Sequence, residues 1–398
     1  MKENKYFYCF KPDLGSHIHF YSGWVNTARK NGLPIKLISF VRFYDYIRNY
    51  DKVKELKREN DAVIVPTPRV LRKLIMMIYF VIVSIRAESV VVHLKKVDPN
   101  VFKKLKKVNS KIKYIIDIEG DPEAERDYLI NHSFKPGFYN EIINNLEIQI
   151  INQGQYMRDS NYIFCVTNHL KKNICNKFPE VKGKIGVLPT GVDSEKFYFD
   201  GILRGRIRVE LGLEDRFIII FTGNIFYSWQ NIHRTLEVFK IIKTLKPNAF
   251  LILLIKKDDI PLAKEFIKKV NINPKDILLR NVSNNQVNAF LNAADLGILL
   301  RHDHLMNKVA SPGKIGEYAV SGLPILATRP STIFAEKLSD IGQMILIENM
   351  DSDEEIKSKI IEYDFNNIDR LENSNESIRL FSNQSYVDEY VYVMQNII

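Results

Sequence analysis

At 398 residues and 45% apolar composition the chain is long enough for two or three domains with ordinary globular cores. Cys9, Cys165 and Cys175 form neither an even framework nor a metal spacing, which speaks against a secreted disulfide scaffold and for a reducing compartment. The opening MKENKYFYCFKPD lacks the apolar core and cleavage site of a signal peptide, so the sequence reads as cytoplasmic. The net charge of +10 is unevenly placed: residues 1–195 hold 32 Lys+Arg against 21 Asp+Glu, the remainder 25 against 26.

The first 120 residues alternate short apolar runs with longer mixed stretches, the rhythm of βα units on a parallel sheet. Strands are predicted at Lys5 to Phe10, Pro34 to Phe40, Ala62 to Pro66, Ser89 to His93 and Lys111 to Ile118. The loop Lys11 to His17 precedes a helix ending near Asn31-Gly32. Strand-end loops of a doubly wound sheet share one edge, the usual ligand edge, which places Gly15, Ser16, His17 and His93 as candidate ligand contacts. Glu119-Gly120-Asp121 belongs to the same edge.

Leu74 to Ile85, LIMMIYFVIVSI, is the most hydrophobic stretch, and its twelve residues are too few for a bilayer-spanning helix of about twenty. It reads as a core helix or as one lying at a membrane interface, because Arg69, Arg72, Lys73 and Arg86 bracket it. Arg69 to Lys113 carries 12 basic and 2 acidic residues, including VFKKLKK at Val101 to Lys107. A solvated face is the ordinary explanation, and an anionic membrane surface is the partner expected otherwise. No basic-aromatic module or zinc spacing supports nucleic acid.

YIIDIEGDPEAERD, Tyr114 to Asp127, is an acidic exception in this basic half. Glu119 and Asp121 at a strand's C-terminal end could orient or deprotonate an acceptor hydroxyl, and are the catalytic candidates. Acids beside Pro122 also suit a plain helix start.

Tyr162 to Thr167 and Ile185 to Pro189 are the last strands of this half, with a basic helix over Asn168 to Phe178 between them. Gly191-Val192-Asp193 turns toward a linker at Tyr198 to Arg206. A second doubly wound domain follows, with strands at Phe217 to Thr222, Phe250 to Ile255, Ile277 to Leu279, Leu296 to Leu300, Ile325 to Thr328 and Gln343 to Ile347. Ser311 suits an N-cap, Pro312 a first helical position and Gly322 a left-handed terminator, predicting a helix from about Pro312 to Ser321. Bare backbone N–H groups at Gly313 and the ammonium of Lys314 outline a phosphate site, with Glu317 one turn on for ribose hydroxyls. Lys314 and Glu317 could instead pair along an exposed helix face. His17/His19 and His302/His304 are H-x-H pairs without Cys or carboxylate partners at ligand spacing, so no metal is expected. No G-x-G-x-x-G follows an early strand, against a dinucleotide oxidoreductase.

Ser311-Pro312-Gly313-Lys314, Glu317-Tyr318 and Gly322-Leu323-Pro324 resemble the donor-binding element of glycosyltransferase family 4, a retaining family with two Rossmann-like domains in the GT-B architecture. LPTGVDSEKF, Leu188 to Phe197, resembles that family's interdomain segment, and FTGN, Phe221 to Asn224, the first strand of its donor domain. The resemblance implies an acceptor domain at 1–197 and a nucleotide-sugar domain at 198–380, facing each other across a cleft, with a terminal helix at 381–398 crossing back. It implies a donor site of Gly223, Asn224, Val282, Ser311, Gly313, Lys314 and Glu317, and retaining transfer without cofactor or metal. The family's diphosphate-binding Arg and Lys stand here as Asn224 and Gln230, and the first Glu of its Glu-x7-Glu pair as Val309. Lys314 is left to carry the phosphate charge with Arg301 or Lys308.

The sequence therefore reads as a cytoplasmic, peripheral-membrane glycosyltransferase. Its expected partners are a nucleotide sugar, an anionic membrane surface and a lipid-linked saccharide of a surface polysaccharide pathway (capsule, exopolysaccharide or O-antigen). A nucleotide-sugar epimerase of the same architecture and a non-catalytic protein binding anionic surfaces are the alternatives.

Overall fold

Seven parallel strands form the first sheet of the computed structural model, which describes residues 5–11, 14, 18–94, 100–134, 136–329 and 335–397. They are β1 (Lys5–Phe10), β2 (Ile35–Arg42), β3 (Val63–Thr67), β4 (Ser89–Leu94), β5 (Ile112–Ile118), β6 (Tyr162–Cys165) and β7 (Ile185–Val187), in the order β3-β2-β1-β4-β5-β6-β7. Parallel neighbours require crossover helices, and these cover both faces. Phe7, Leu37, Val91, Ile115 and Phe164 of the strands pack with Ile18 and Trp24 of the helix Ile18–Lys30. The same core takes in Val387, Tyr390 and Met394 of the terminal helix Val387–Asn396.

The second sheet comprises β8 (Phe217–Gly223), β9 (Ala249–Ile255), β10 (Ile277–Arg280), β11 (Leu296–Leu299), β12 (Ile325–Thr328) and β13 (Met344–Ile347), in the order β10-β9-β8-β11-β12-β13. All its pairings are parallel. Every residue of β9 is buried, the signature of a strand covered on both faces. In each sheet the strand order reverses beside the first strand, at β1/β4 and at β8/β11, and such switch points open a crevice at the strands' carboxyl ends. Two Rossmann-like α/β domains are therefore present.

The chain divides into one unit of Met1–Asp121, Glu147–Asp193 and Asn383–Ile398, and another of Pro122–Leu146 and Ser194–Ser382. The expected divisions at 197/198 and 380/381 fall instead at Asp193/Ser194 and Ser382/Asn383, and one segment of the first half changes sides. Pro122–Leu146 lies between strands of the first sheet in sequence but packs in the second unit. Its Ala124, Tyr128, Leu129, Tyr139 and Leu146 bury against Met306, and Phe134 and Phe138 against Phe226, Tyr227 and Trp229. Tyr139 Oη donates to the Phe226 carbonyl at 2.7 Å and accepts from the Ser228 N–H at 2.8 Å.

Two local expectations also shift. The expected linker Tyr198 to Arg206 contains the start of the helix Gly201–Leu211, because Asp200 caps it, accepting from the N–H groups of Ile202 and Leu203 at 2.9 and 3.0 Å. The apolar run at Leu74 to Ile85 forms the helix Arg72–Arg86, which buries Met76 and Phe80 yet leaves an apolar face in solvent. Among the described residues no helix is long and apolar enough to cross a membrane.

Candidate functional site

β8 ends at Gly223 with φ +143°, a conformation that side chains rarely adopt. A Cβ there would stand 2.3 Å from both Cε and Nζ of Lys314, so only glycine lets that side chain lie across the strand end. Lys314 comes from the first turn of the helix Gly313–Val320. Tyr318 pins this helix to the sheet: its hydroxyl accepts from the Thr222 N–H at 2.8 Å and lies 3.1 Å from Thr222 Oγ1. The helix starts one residue later than expected. Pro312 holds the cap position in an extended conformation, and Ser311, restricted by the proline after it, stands outside the helix rather than capping it. Pro312 supplies no side-chain cap, so the first turn at Gly313 and Lys314 keeps the positive end of the helix macrodipole.

The charges at this place are unbalanced. Lys314 Nζ donates to Gln230 Oε1 at 3.3 Å and lies 5.8 Å from the centre of the Phe221 ring. Burial, with Arg301 adding to it and Glu317 opposing, pushes the ammonium down to about 7. Arg301 is 8% exposed; its Nη1 donates to Asn307 Oδ1 at 3.3 Å and its Nε has no partner. Burial lowers this guanidinium to about 10. Neither cation forms an ion pair with a carboxylate among the described residues. Glu317, the one acid in electrostatic reach of Lys314, is raised by burial to about 7 and is not within ion-pair distance of it. Pairing along an exposed helix face is therefore not what these two residues do. Leaving a desolvated charge unpaired is costly, so two neighbouring cations that no carboxylate pairs among the described residues form a site that an anion completes.

The remaining donor candidates line the same strand ends. Asn224 Oδ1 accepts from the Phe226 N–H at 2.9 Å and Asp259 Oδ2 from the Ile225 N–H at 3.0 Å, so both side chains shape the loop after β8. Val282 is half-buried in the loop after β10, whose Arg280 is level with Leu254 of β9 and thereby with Thr222 of β8. Of the two alternative phosphate cations, Lys308 is exposed and paired with Asp303 at 2.6 Å, which leaves Arg301. Beside Arg301 lies a cluster that sequence spacing did not reveal. Tyr128 Oη is 2.5 Å from His302 Nδ1, and the His132 ring stacks on Tyr128 at 4.2 Å. Burial and the neighbouring imidazoles hold His302 and His304 below the ordinary histidine value. Among the described residues no group of three His, Cys, Asp or Glu could hold a metal ion.

The first unit presents a separate set at its own strand ends. Glu119, just after β5, accepts from Tyr21 Oη at 3.0 Å, and burial together with this carboxylate pushes the phenol well up, so it remains a donor. His93 and Asp121 require correction. His93 is 0% exposed, with Nε2 2.5 Å from Asp117 Oδ1 and Nδ1 3.1 Å from Tyr390 Oη, so it braces the strand end and touches no acceptor. Asp121 is 4% exposed, ion-paired to Lys177 at 2.9 Å and hydrogen-bonded by Asn173. It anchors the helix Asn168–Lys177 and is not poised as a base. Gly15, Ser16 and His17 lie outside the described residues.

Residues 204–377 match the family model for glycosyl transferases group 1, a span that falls inside the second unit. No curated protein matches the chain. Among solved structures, a glycosyltransferase from Rickettsia africae is 15% identical with a TM-score of 0.67, covering 100% of this chain and 99% of that one. Anabaena HepE in complex with UDP-glucose is 11% identical with a TM-score of 0.69, covering 99% and 100%. Sucrose-phosphate synthase from Thermosynechococcus elongatus is 9% identical with a TM-score of 0.69, covering 98% of each chain. At these identities the likeness is one of fold, the GT-B fold of two Rossmann-like domains. The domain match and the fold support a sugar-transferring enzyme.

Proposed function

We propose that this protein transfers a sugar from a nucleoside-diphosphate sugar to a saccharide acceptor, and that the second unit holds the donor. The observation that carries this reading is the pair of cations without a carboxylate partner among the described residues, half-buried Lys314 and buried Arg301, at a glycine-opened strand end beside the start of the helix Gly313–Val320. As the glycosidic bond breaks, negative charge develops on the leaving diphosphate. Donors already fixed in a dry site stabilise that charge without reorganising, which is where most of the rate gain in such reactions originates. Glu317, set one turn from Lys314, accepts from the ribose hydroxyls. The two cations supply the neutralisation a divalent ion would otherwise provide, so turnover is expected to survive chelator. HepE has been seen with UDP-glucose, which makes UDP sugars the first donors to try.

Retention at the anomeric carbon and a lipid-linked oligosaccharide of a surface polysaccharide pathway as acceptor are the finer parts of the proposal. Both rest on the resemblance of the Ser311–Pro324 segment to family 4 and on the basic first half. Glu119 is the residue assigned to the acceptor hydroxyl, since it ends β5 half-buried with Tyr21 orienting it.

Titration with a panel of nucleotide sugars, followed by assay of nucleoside diphosphate release, tests the reading. Slow release without acceptor and faster release with one support a transferase. Interconversion of donor epimers would instead identify an epimerase, and absence of any turnover with intact anion binding a non-catalytic binder.

A further inference from the structure

The helix Arg72–Arg86 has two apolar faces. Met76 and Phe80 turn inward, at 5% and 0% exposure, and pack toward the first sheet. On the other side Leu71, Leu74, Ile78, Ile82 and Ile85 are 46%, 54%, 49%, 59% and 70% exposed. At 100° per residue these five fall within an arc of about 80°, opposite the buried face, and run about 20 Å along the axis. A helix hydrophobic on both sides belongs in a core or against something else, yet this one covers an open side of its unit.

The charges around that stripe are of one sign. Arg69, Arg72 and Lys73 stand at its N-terminal end, where helix N–H groups already make the potential positive and where no acidic residue occupies the first turn. None of the three forms an ion pair among the described residues. The neighbouring helix Asn100–Val108 adds exposed Lys104, Lys107 and Val108, whereas Lys103 and Lys106 are tied to Asp159. A second exposed apolar group joins at the sheet edge. Arg42 of β2 is level with Thr67 of β3, so Phe43, Tyr44 and Ile47 leave the sheet beside Val70 and Leu71.

We infer that this face docks on an anionic lipid bilayer, the helix Arg72–Arg86 lying in the interface plane with its aliphatic stripe among the acyl chains and the basic residues at the headgroups. The charge complementarity selects this occupant: unpaired cations flank an apolar stripe too short to span, the arrangement of an in-plane amphipathic anchor. Crowding like charges at a helix N-terminus beside exposed aliphatics costs stability in water, and an anionic interface relieves both penalties at once. Docking needs neither nucleotide nor acceptor, so its test stands apart from that of glycosyl transfer.

Full-length protein is cosedimented with vesicles of phosphatidylcholine and of phosphatidylcholine mixed with phosphatidylglycerol, at low and high salt. Binding to the mixed vesicles is expected to exceed binding to the neutral ones at least about tenfold and to weaken with salt. Arg69→Gln/Arg72→Gln/Lys73→Gln removes that preference, and Ile78→Ser/Ile82→Ser removes the binding that survives high salt. Thermal unfolding of both variants checks that they fold, and the charge variant carries the test alone if the other does not. No binding, equal salt-insensitive binding to both lipids, or self-association abolished by Ile78→Ser/Ile82→Ser in the absence of lipid would each overturn the assignment.

Discussion

Lys314 lies directly over Gly223: a single added methyl at the glycine would stand 2.3 Å from the ammonium nitrogen. Gly223→Ala should therefore displace Lys314 and strain a backbone at φ +143°. A stability loss of about 1–3 kcal/mol is expected, together with weaker nucleotide binding. Thermal unfolding and nucleotide titration of the same variant read the two effects; unchanged nucleotide affinity would detach Lys314 from the donor.

Lys314→Met should separate stability from function. It removes a half-buried, desolvated cation that has no carboxylate partner among the described residues, so the ligand-free protein should hold its melting temperature or gain. Loss of the charge-assisted phosphate contact should cost on the order of 1.5–3 kcal/mol in kcat/KM or nucleotide affinity. Arg301→Gln should behave in the same direction. A variant that keeps turnover at wild-type level refutes the cation pair.

Nucleotide binding should depend on pH through the same residue. Burial pushes the folded ammonium down to about 7 from the ordinary lysine value of 10.5, so the unfolded chain takes up the proton first. The ligand-free fold is penalised as pH falls from about 10 toward 7, and fully below that. Glu317 works the other way: raised from 4.5 to about 7, its penalty grows as pH rises through that window and is full above it. A diphosphate restores the charged ammonium. Binding should tighten as pH falls from about 8 through 7 and should take up protons, visible as buffer-dependent calorimetric enthalpy. Lys314→Met should lose this proton uptake, leaving only the opposite dependence through Glu317.

Glu119→Gln should lower transfer by about a hundredfold or more while leaving donor affinity near normal, because a positioned base contributes roughly 10²–10⁴-fold. Tyr21→Phe, which removes only the orienting bond at 3.0 Å, should cost far less, about 1 kcal/mol. Full transfer in Glu119→Gln would reduce Glu119 to a helix-start acid.

Asp295 marks a stability position away from both strand ends. Its carboxylate takes Arg204 at 2.5 Å, Arg208 at 3.1 Å and the Ile218 N–H at 2.7 Å. Asp295→Ala leaves two guanidinium groups facing each other and should cost about 3–5 kcal/mol in denaturant unfolding, with nucleotide binding retained by the fraction that stays folded.

Local pattern determined a large part of this protein. A seven-residue apolar run such as Ala249–Ile255, set between turn signals, suits a strand covered on both faces, and Ser311 to Pro324 carries its helix start, its cation and its left-handed stop within fourteen residues. Tertiary packing decided the rest. Whether His93 meets ligand or core depends on Asp117, 24 residues away, and on Tyr390, 297 residues away. Arg301 becomes an anion-seeking cation because its surroundings among the described residues supply Asn307 and no paired acid. Pro122–Leu146 joins the second unit through rings at Phe226, Tyr227 and Trp229. The run at Leu74 to Ile85 is apolar on all sides, so its sequence carries no period that says which face is covered. Periodicity reports the geometry of neighbours three or four residues apart; burial and unpaired charge are set by groups the chain brings together from far away.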